Sequence, residues 1–301
     1  MAGAGSEDSV LPSQIAAFYA VFPVAGGRFA LVARLLSGWL FVFACGCSPP
    51  PETLYVASLN LAHGRGLASN QLGWPRETFE ANLDAIAAVV NRENPDLLAV
   101  QEADAPSIWS GSFDHVQRLA AATGFPHVYH GLHFNQGFGK LEAAYGTAFL
   151  SRRALGAPAS HRLPAGSWNT KGFVLATVEL DGRPLIITSV HLNSESPGSR
   201  RMQVDKLVEI LRDRQVPLVL MGDLNSQWDH EQDAVRLIAR ALGLRAFRPE
   251  SPALMTYRAD APRKRIDWIL LSPELEFVSY RVWPDLVSDH LAVAARIRRA
   301  R

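Results

Sequence analysis

The chain has 301 residues, 48% of them hydrophobic, and sets 30 Lys and Arg against 29 Asp and Glu for a formal net charge of +1. This length and apolar content exclude a disordered chain and allow an enzyme-sized core, while the balanced charge gives no overall attraction to a polyanion. Both cysteines, Cys45 and Cys47, fall before residue 48, so the remainder has neither a disulfide framework nor a cysteine metal cage.

Residues 1–53 read as an export signal or membrane anchor with a linker, and 54–301 as one folded domain. Between Ile15 and Cys47 the only charges are Arg28 and Arg34, and Ser48-Pro49-Pro50-Pro51-Glu52 follows as a stiff spacer. Leu35 to Ala44 has the length of a signal-peptide apolar region. Val42-Phe43-Ala44-Cys45 resembles the lipobox, in which a lipidated cysteine becomes the new N-terminus. Cys45 is then the lipid anchor of an exported, membrane-tethered bacterial lipoprotein. Counted from Phe29, about 17 mostly apolar residues give the alternative, an uncleaved N-terminal helix anchor.

Beyond the linker, Leu54 to Asn60 predicts a strand. Phe79, Leu83, Ile86, Ala87 and Val90 then mark one face of a helix over Arg76 to Asn94, which Asn94-Pro95 ends. Asp96 to Gln101 is too short for a helix and predicts a buried strand. Further strands are expected at Gly146 to Leu150, Val174 to Leu180, Leu185 to Val190, Leu218 to Met221, Ile266 to Leu271, Phe277 to Val282 and Leu291 to Ile297. Helical spacing recurs at Phe113 to Ala122, Arg201 to Arg214 and Glu231 to Leu242, and Asp181-Gly182 predicts a hairpin turn. This order supports an α/β layered sandwich with mixed sheets inside and helices outside.

Acids, amides and imidazoles fall repeatedly where apolar runs end, the edge at which open α/β sheets bind ligands. In Gly222-Asp223-Leu224-Asn225, after the run Pro217 to Met221, an extended chain would turn Asp223 and Asn225 to the same side; read alone, the tetrapeptide is equally a turn with a helix cap. Glu102 ends another run and His191 a third. Asp289 and His290 precede an apolar strand, and as neighbours they point apart and do different jobs. Asp267 lies within an apolar strand, where its carboxylate requires a partner such as an imidazolium.

Taken in order, Ser58-Leu59-Asn60, Gln101-Glu102, His191-Leu192, Gly222-Asp223-Leu224-Asn225, Arg265-Ile266-Asp267-Trp268 and Ser288-Asp289-His290 resemble the endonuclease/exonuclease/phosphatase family of metal-dependent phosphoesterases. Gly146 to Arg152 resembles a further family strand. The resemblance runs from Leu54 to the end of the sequence and implies a four-layer α/β/β/α sandwich. It implies that Glu102 holds a divalent cation, Mg²⁺ or Mn²⁺, with Asn60 and Asp289 nearby. It also implies that Asp223 activates the attacking water, that Asn225 and His191 bind phosphoryl oxygens, and that His290, held by Asp267, stabilises charge or protonates the leaving oxygen. Hard oxygen ligands suit such a cation.

The function expected is an exported, metal-dependent phosphoesterase. Alternatives are a nuclease acting on extracellular DNA or RNA, a phospholipid or sphingomyelin phosphodiesterase, and a non-catalytic binding module on the same fold. Ala103-Asp104 follow Glu102 without the arginine that deoxyribonuclease-like members place there, and no dense basic run with interleaved aromatics appears, so nucleic acid is possible but not favoured. Arg65, Arg200 and Arg201 are candidates for contacting the rest of the substrate, and Arg263-Lys264-Arg265 is a short basic cluster near the site. No protein partner is implied.

Overall fold

Period-two alternation along the first strand, β1 (Leu54–Asn60), sends Tyr55, Ala57 and Leu59 into one apolar layer and Leu54 and Val56 into another. A strand buried on both faces must lie inside a multilayer fold. The computed structural model describes residues 52–138, 141–164 and 170–301, so Cys45 and the rest of the expected anchor lie outside the described residues. In chain order the elements after β1 are α1 (Arg76–Glu93), β2 (Leu97–Asp104), α2 (His115–Thr123), β3 (His127–Phe138), β4 (Leu141–Ser151) and β5 (Gly156–Arg162). Then follow β6 (Gly172–Leu180), β7 (Arg183–His191), α3 (Pro197–Leu211), β8 (Leu218–Asp223), α4 (Ala234–Leu242), β9 (Arg245–Ala246), β10 (Asp267–Leu271), β11 (Leu275–Val282) and β12 (Val293–Arg299).

The strands form two mixed six-stranded sheets, ordered β11-β12-β1-β2-β4-β3 and β5-β6-β7-β8-β10-β9. One core lies between the first sheet and α1 and α2, around Phe79, Leu83 and Leu119. A second fills the space between the sheets, where Val56, Leu97 and Phe149 meet Val174, Ile187 and Met221. The third packs Leu207, Ile238 and Trp268 between the second sheet and α3 and α4. This is the expected α/β/β/α sandwich. Each fully buried Leu, Phe or Ile contributes about 1.5–3 kcal/mol of transfer free energy, so the layers are held by area rather than by any one contact. Among the described residues no helix is long and apolar enough to cross a membrane.

Several boundaries differ from the sequence expectation, mostly through capping. Ser196 accepts a hydrogen bond from Ser199 N, so α3 begins at Pro197 rather than Arg201 and ends at Leu211 rather than Arg214. Asp114 caps α2, leaving Phe113 outside it. The Asp233 carboxylate is taken by the Asp229 and His230 amides, and α4 starts one residue later, at Ala234 rather than Glu231. The last strand begins at Val293, not Leu291. Strands β3 and β5 were not expected; β5 is largely exposed and neither carries an apolar alternation that marks a strand. The Asp181-Gly182 turn joins β6 to β7 as expected, with φ of +52° and +65°.

Gly222 lies where β8 runs beside β7. Its φ is +142°, and a Cβ there would lie 1.9 Å from the Val190 carbonyl oxygen. Gly222→Ala is therefore expected to force the two strands apart and lower unfolding free energy by about 2–3 kcal/mol. A urea midpoint unchanged from that of the wild-type protein would contradict this.

Candidate active site

Strand register builds the centre of the site. His191, the last residue of β7, pairs with Asp223, the last of β8, and Asp223 pairs with Asp267, the first of β10. Asp223 is buried and accepts from Asn60 Nδ2 of the other sheet at 3.0 Å. Asn225 does not continue the strand, which corrects the extended reading of this segment: its φ is +47°, and its backbone N–H donates to Asp223 Oδ1 at 2.9 Å. The Asx turn still leaves Asn225 Nδ2 3.3 Å from Asp223 Oδ2, so amide and carboxylate share one cavity. His290 Nδ1 donates to Asp267 Oδ2 at 2.9 Å, while Nε2 lies 3.9 Å from Asp223 Oδ2.

Glu102 sits at a register shift in β2 between Val100 and Ala103, with φ of +47°. Such an irregularity re-aims a side chain, here into the cleft. Its carboxylate meets Arg65 Nη1 and His63 Nε2, both at 3.4 Å, and Lys171 Nζ at 3.6 Å. Arg65 Nη2 also donates to Asp289 Oδ2 at 2.9 Å, so one guanidinium bridges Glu102 and Asp289. His63 is held in turn by Asp104, 2.6 Å from its Nδ1, and Asp104 also accepts from Trp109 Nε1 and Ser110 Oγ.

The donor set fits a hard divalent cation. Glu102 and Asp289 offer carboxylate oxygens, and Asp289 Oδ1 is buried without a hydrogen-bond partner. Asn60 stands beside them, but its Oδ1 accepts from Ala62 N at 2.9 Å and its Nδ2 serves Asp223. Asp223, Asp267 and His290 also lie within 4.8 Å of one another. There the proton that His290 carries opposes a cation.

Charge divides these groups. Burial alone would raise the Glu102 pKa, yet His63, Lys171 and Arg65 hold it well below the ordinary value. Asp223 is the opposite case: burial pushes its carboxyl up to about 7 against the pull of His290. Burial disfavours a charged His290, but Asp267 and Asp223 overcome it and raise the imidazolium to about 10. Burial, with Lys171 nearby, lowers His191 well below its usual value, so it stays neutral.

A cleft of about 550 Å³ collects Glu102, His191, Asp223, Asn225, Asp289 and His290. Arg65 and Arg200 line it too, whereas Asn60 and Asp267 are buried behind its surface. Arg201 is not brought in. Successive helix residues point about 100° apart, and Arg201 extends along α3 to pair with Asp205. Of the basic cluster only Lys264 lines this cleft, since Arg265 is buried over the Trp268 ring and donates to the Phe247 and Arg248 carbonyls. The sequence reading missed Lys171, Asp104 and the role of His63. Asp104 two residues after Glu102 and His63 three residues after Asn60 were the available signal for the last two; Lys171 had none.

The sequence profile of the endonuclease/exonuclease/phosphatase family matches residues 57–290. Solved structures share the fold. An endonuclease/exonuclease/phosphatase from Beutenbergia cavernae superimposes with a TM-score of 0.65 at 21% identity, covering 82% of this chain and 72% of its own. A Bacteroides thetaiotaomicron mannosyl-6-phosphatase gives 0.60 at 17% identity over 81% of this chain and 99% of its own. Truncated Caenorhabditis elegans TDP2 gives 0.57 at 18% identity, covering 82% and 97% respectively. No protein of curated function matches the chain in sequence.

Because its pKa is raised by folding, the charged His290 stabilises the fold fully below about 6.5, and that contribution is lost as pH rises through about 10. In the metal-free protein, ¹⁵N NMR of labelled histidine should show one imidazolium persisting beyond pH 8. Asp267→Asn should return it toward the ordinary range. No histidine remaining charged beyond pH 8, or one doing so that Asp267→Asn leaves unmoved, would contradict the pairing.

Proposed function

The chain belongs to the endonuclease/exonuclease/phosphatase family and is a phosphoester hydrolase, and on that premise we propose that it is an exported, membrane-tethered enzyme dependent on Mg²⁺ or Mn²⁺. The observation carrying this reading is the pairing of a proton-accepting Asp223, raised to about 7, with a Glu102–Asp289 carboxylate pair in the same cleft. Asp223 takes the proton of the attacking water, held in aim by Asn60 Nδ2 and the Asn225 backbone N–H. Asn225 and the neutral His191 donate to phosphoryl oxygens as negative charge builds. His290, kept cationic by Asp267, stabilises that charge or gives a proton to the leaving oxygen. A divalent cation held by Glu102 and Asp289, with Asn60 beside them, would supply Lewis-acid stabilisation of an in-line displacement at phosphorus.

The similar structures include a mannosyl-6-phosphatase and TDP2, and no substrate is transferred from them. A panel of bis-p-nitrophenyl phosphate, plasmid DNA, sphingomyelin and inositol phosphates, each with Mg²⁺ or EDTA, sorts the classes. On the substrate it identifies, Asp223→Asn and His290→Ala should each lower kcat by about 10²–10⁴-fold. Glu102→Gln should shift the Mg²⁺ activation curve to higher concentration. Full activity in either of the first two variants, or a normal Mg²⁺ titration in the third, would remove the mechanism.

Export rests on the segment ending at Cys45. If acyl chains are attached there, the Ser48 to Glu52 spacer holds the cleft off the membrane surface. Cys45→Ser should then block processing and leave the larger precursor. Intact mass of the membrane fraction is decisive, because an unmodified wild-type chain starting at Met1 sinks the lipoprotein reading and favours an uncleaved helix anchor.

A further inference from the structure

Glu102 lines two clefts. Besides the large one, its carboxylate faces a groove of about 290 Å³ bounded by His63, Lys171, Trp109, Phe134 and Tyr145. Phe134 and Tyr145 are cross-strand partners on β3 and β4 and stack with 22° between their planes at 5.2 Å. Trp109, on the turn after β2, tilts against both at 6.0 and 6.1 Å. Its indole is fixed by the 2.8 Å hydrogen bond to Asp104, and the Lys171 ammonium lies 5.5 Å from the Tyr145 ring. None of the three rings belongs to the three apolar cores, and Trp109 and Phe134 remain half-buried. Rings lining a concave surface beside charged groups mark a ligand surface.

We infer that this groove is the subsite for the group esterified to the phosphate, and that this group carries a planar aromatic ring. The inference rests on the phosphoesterase reading for the position of the phosphate beside Glu102. The walls select the occupant. Among the described residues no Leu, Ile, Val or Met lines the groove, which is aromatic and charged rather than the adaptable aliphatic surface that an acyl chain requires. The Lys171 ammonium already takes the cation–π position on the Tyr145 ring that a choline-type headgroup would need. Rigid rings present flat faces for stacking, and the Gln71 amide on the same wall can donate to or accept from a substituent on a ring edge. A nucleobase and a simple aryl ester share this chemistry.

The test is calorimetric binding to the full chain carrying Asp223→Asn, in the presence of Mg²⁺, with four probes: adenosine 5′-monophosphate, phenyl phosphate, ribose 5-phosphate and ethyl phosphate. At least one ring-bearing probe should bind about tenfold more tightly than the two without an aromatic ring, since one stacked base is worth roughly 1–3 kcal/mol. Preference for adenosine 5′-monophosphate alone identifies a nucleoside, and equal preference for phenyl phosphate identifies any aryl ester. Trp109→Leu and Phe134→Leu should each reduce that preference several-fold. Trp109→Phe, which keeps a ring but loses the bond to Asp104, should retain most of it. A purely bracing role for the rings would make the Leu and Phe variants at position 109 equally defective toward all four probes. Equal affinity for all four probes, or uniform weakening by the Leu variants, overturns the subsite. If the ring preference holds while the wild-type chain hydrolyses no phosphoester, the binding groove stands and the catalytic reading fails instead.

Discussion

The hydrogen bond from Asn60 Nδ2 to Asp223 Oδ2 is where two sheets become one site. Away from this edge the sheets meet through apolar side chains, which attract without specifying distance. At the edge the contact turns polar: Gln101 Nε2 donates to Ser189 Oγ, and Ser189 Oγ to the Val100 carbonyl. These groups are buried, and each one left unpaired would cost about 1–3 kcal/mol, so the polar edge fixes the spacing that the apolar core leaves loose. Asn60 uses both ends of its amide, one for Asp223 and one for the loop that carries His63 and Arg65. The position of the Asp223 carboxylate and the course of that loop are thus set by a single side chain.

Given that frame, the site works by driving two carboxylates apart in acidity. Glu102 stands among two histidines, a lysine and an arginine and keeps its charge at any physiological pH. Asp223 is buried with less compensation and sits near neutrality, where a group can both hold and release a proton. Arg65 adds a further constraint. By bridging Glu102 and Asp289 it balances two neighbouring anions, and Asp289 Oδ1, which accepts no hydrogen bond and meets His290 Nε2 only at 4.0 Å, marks the position where that balance is weakest.

Much of this was legible in the sequence because strands deliver their final side chains to a shared edge. His191, Asp223 and Asp267 each end or begin an apolar run, and register alone then brings them together. The layered fold followed from the alternation of buried strands with helical periods. Features without a periodic signal were not legible. Strand β5 is exposed, and β3 mixes glycine, histidine and amides, so neither shows the alternation of a half-buried strand. Lys171 precedes an apolar strand as an ordinary-looking cation, and only the docking of one sheet on the other reveals that it is buried against Glu102. Arg201 failed in the opposite direction, since one step along a helix separates a cleft residue from a solvated one.

The Asn60–Asp223 contact joins positions 163 residues apart, and Ser288 reaches back to the Asn60 carbonyl across 228. Neither sheet alone contains both Asp223 and Glu102. Contacts of such long sequence separation form late and slow the folding of a β-rich chain. Catalytic competence is therefore a property of the last docking event rather than of any early folding unit. A chain whose sheets have not docked lacks the Asn60–Asp223 contact, and the return of activity after unfolding times the moment at which the two halves lock together.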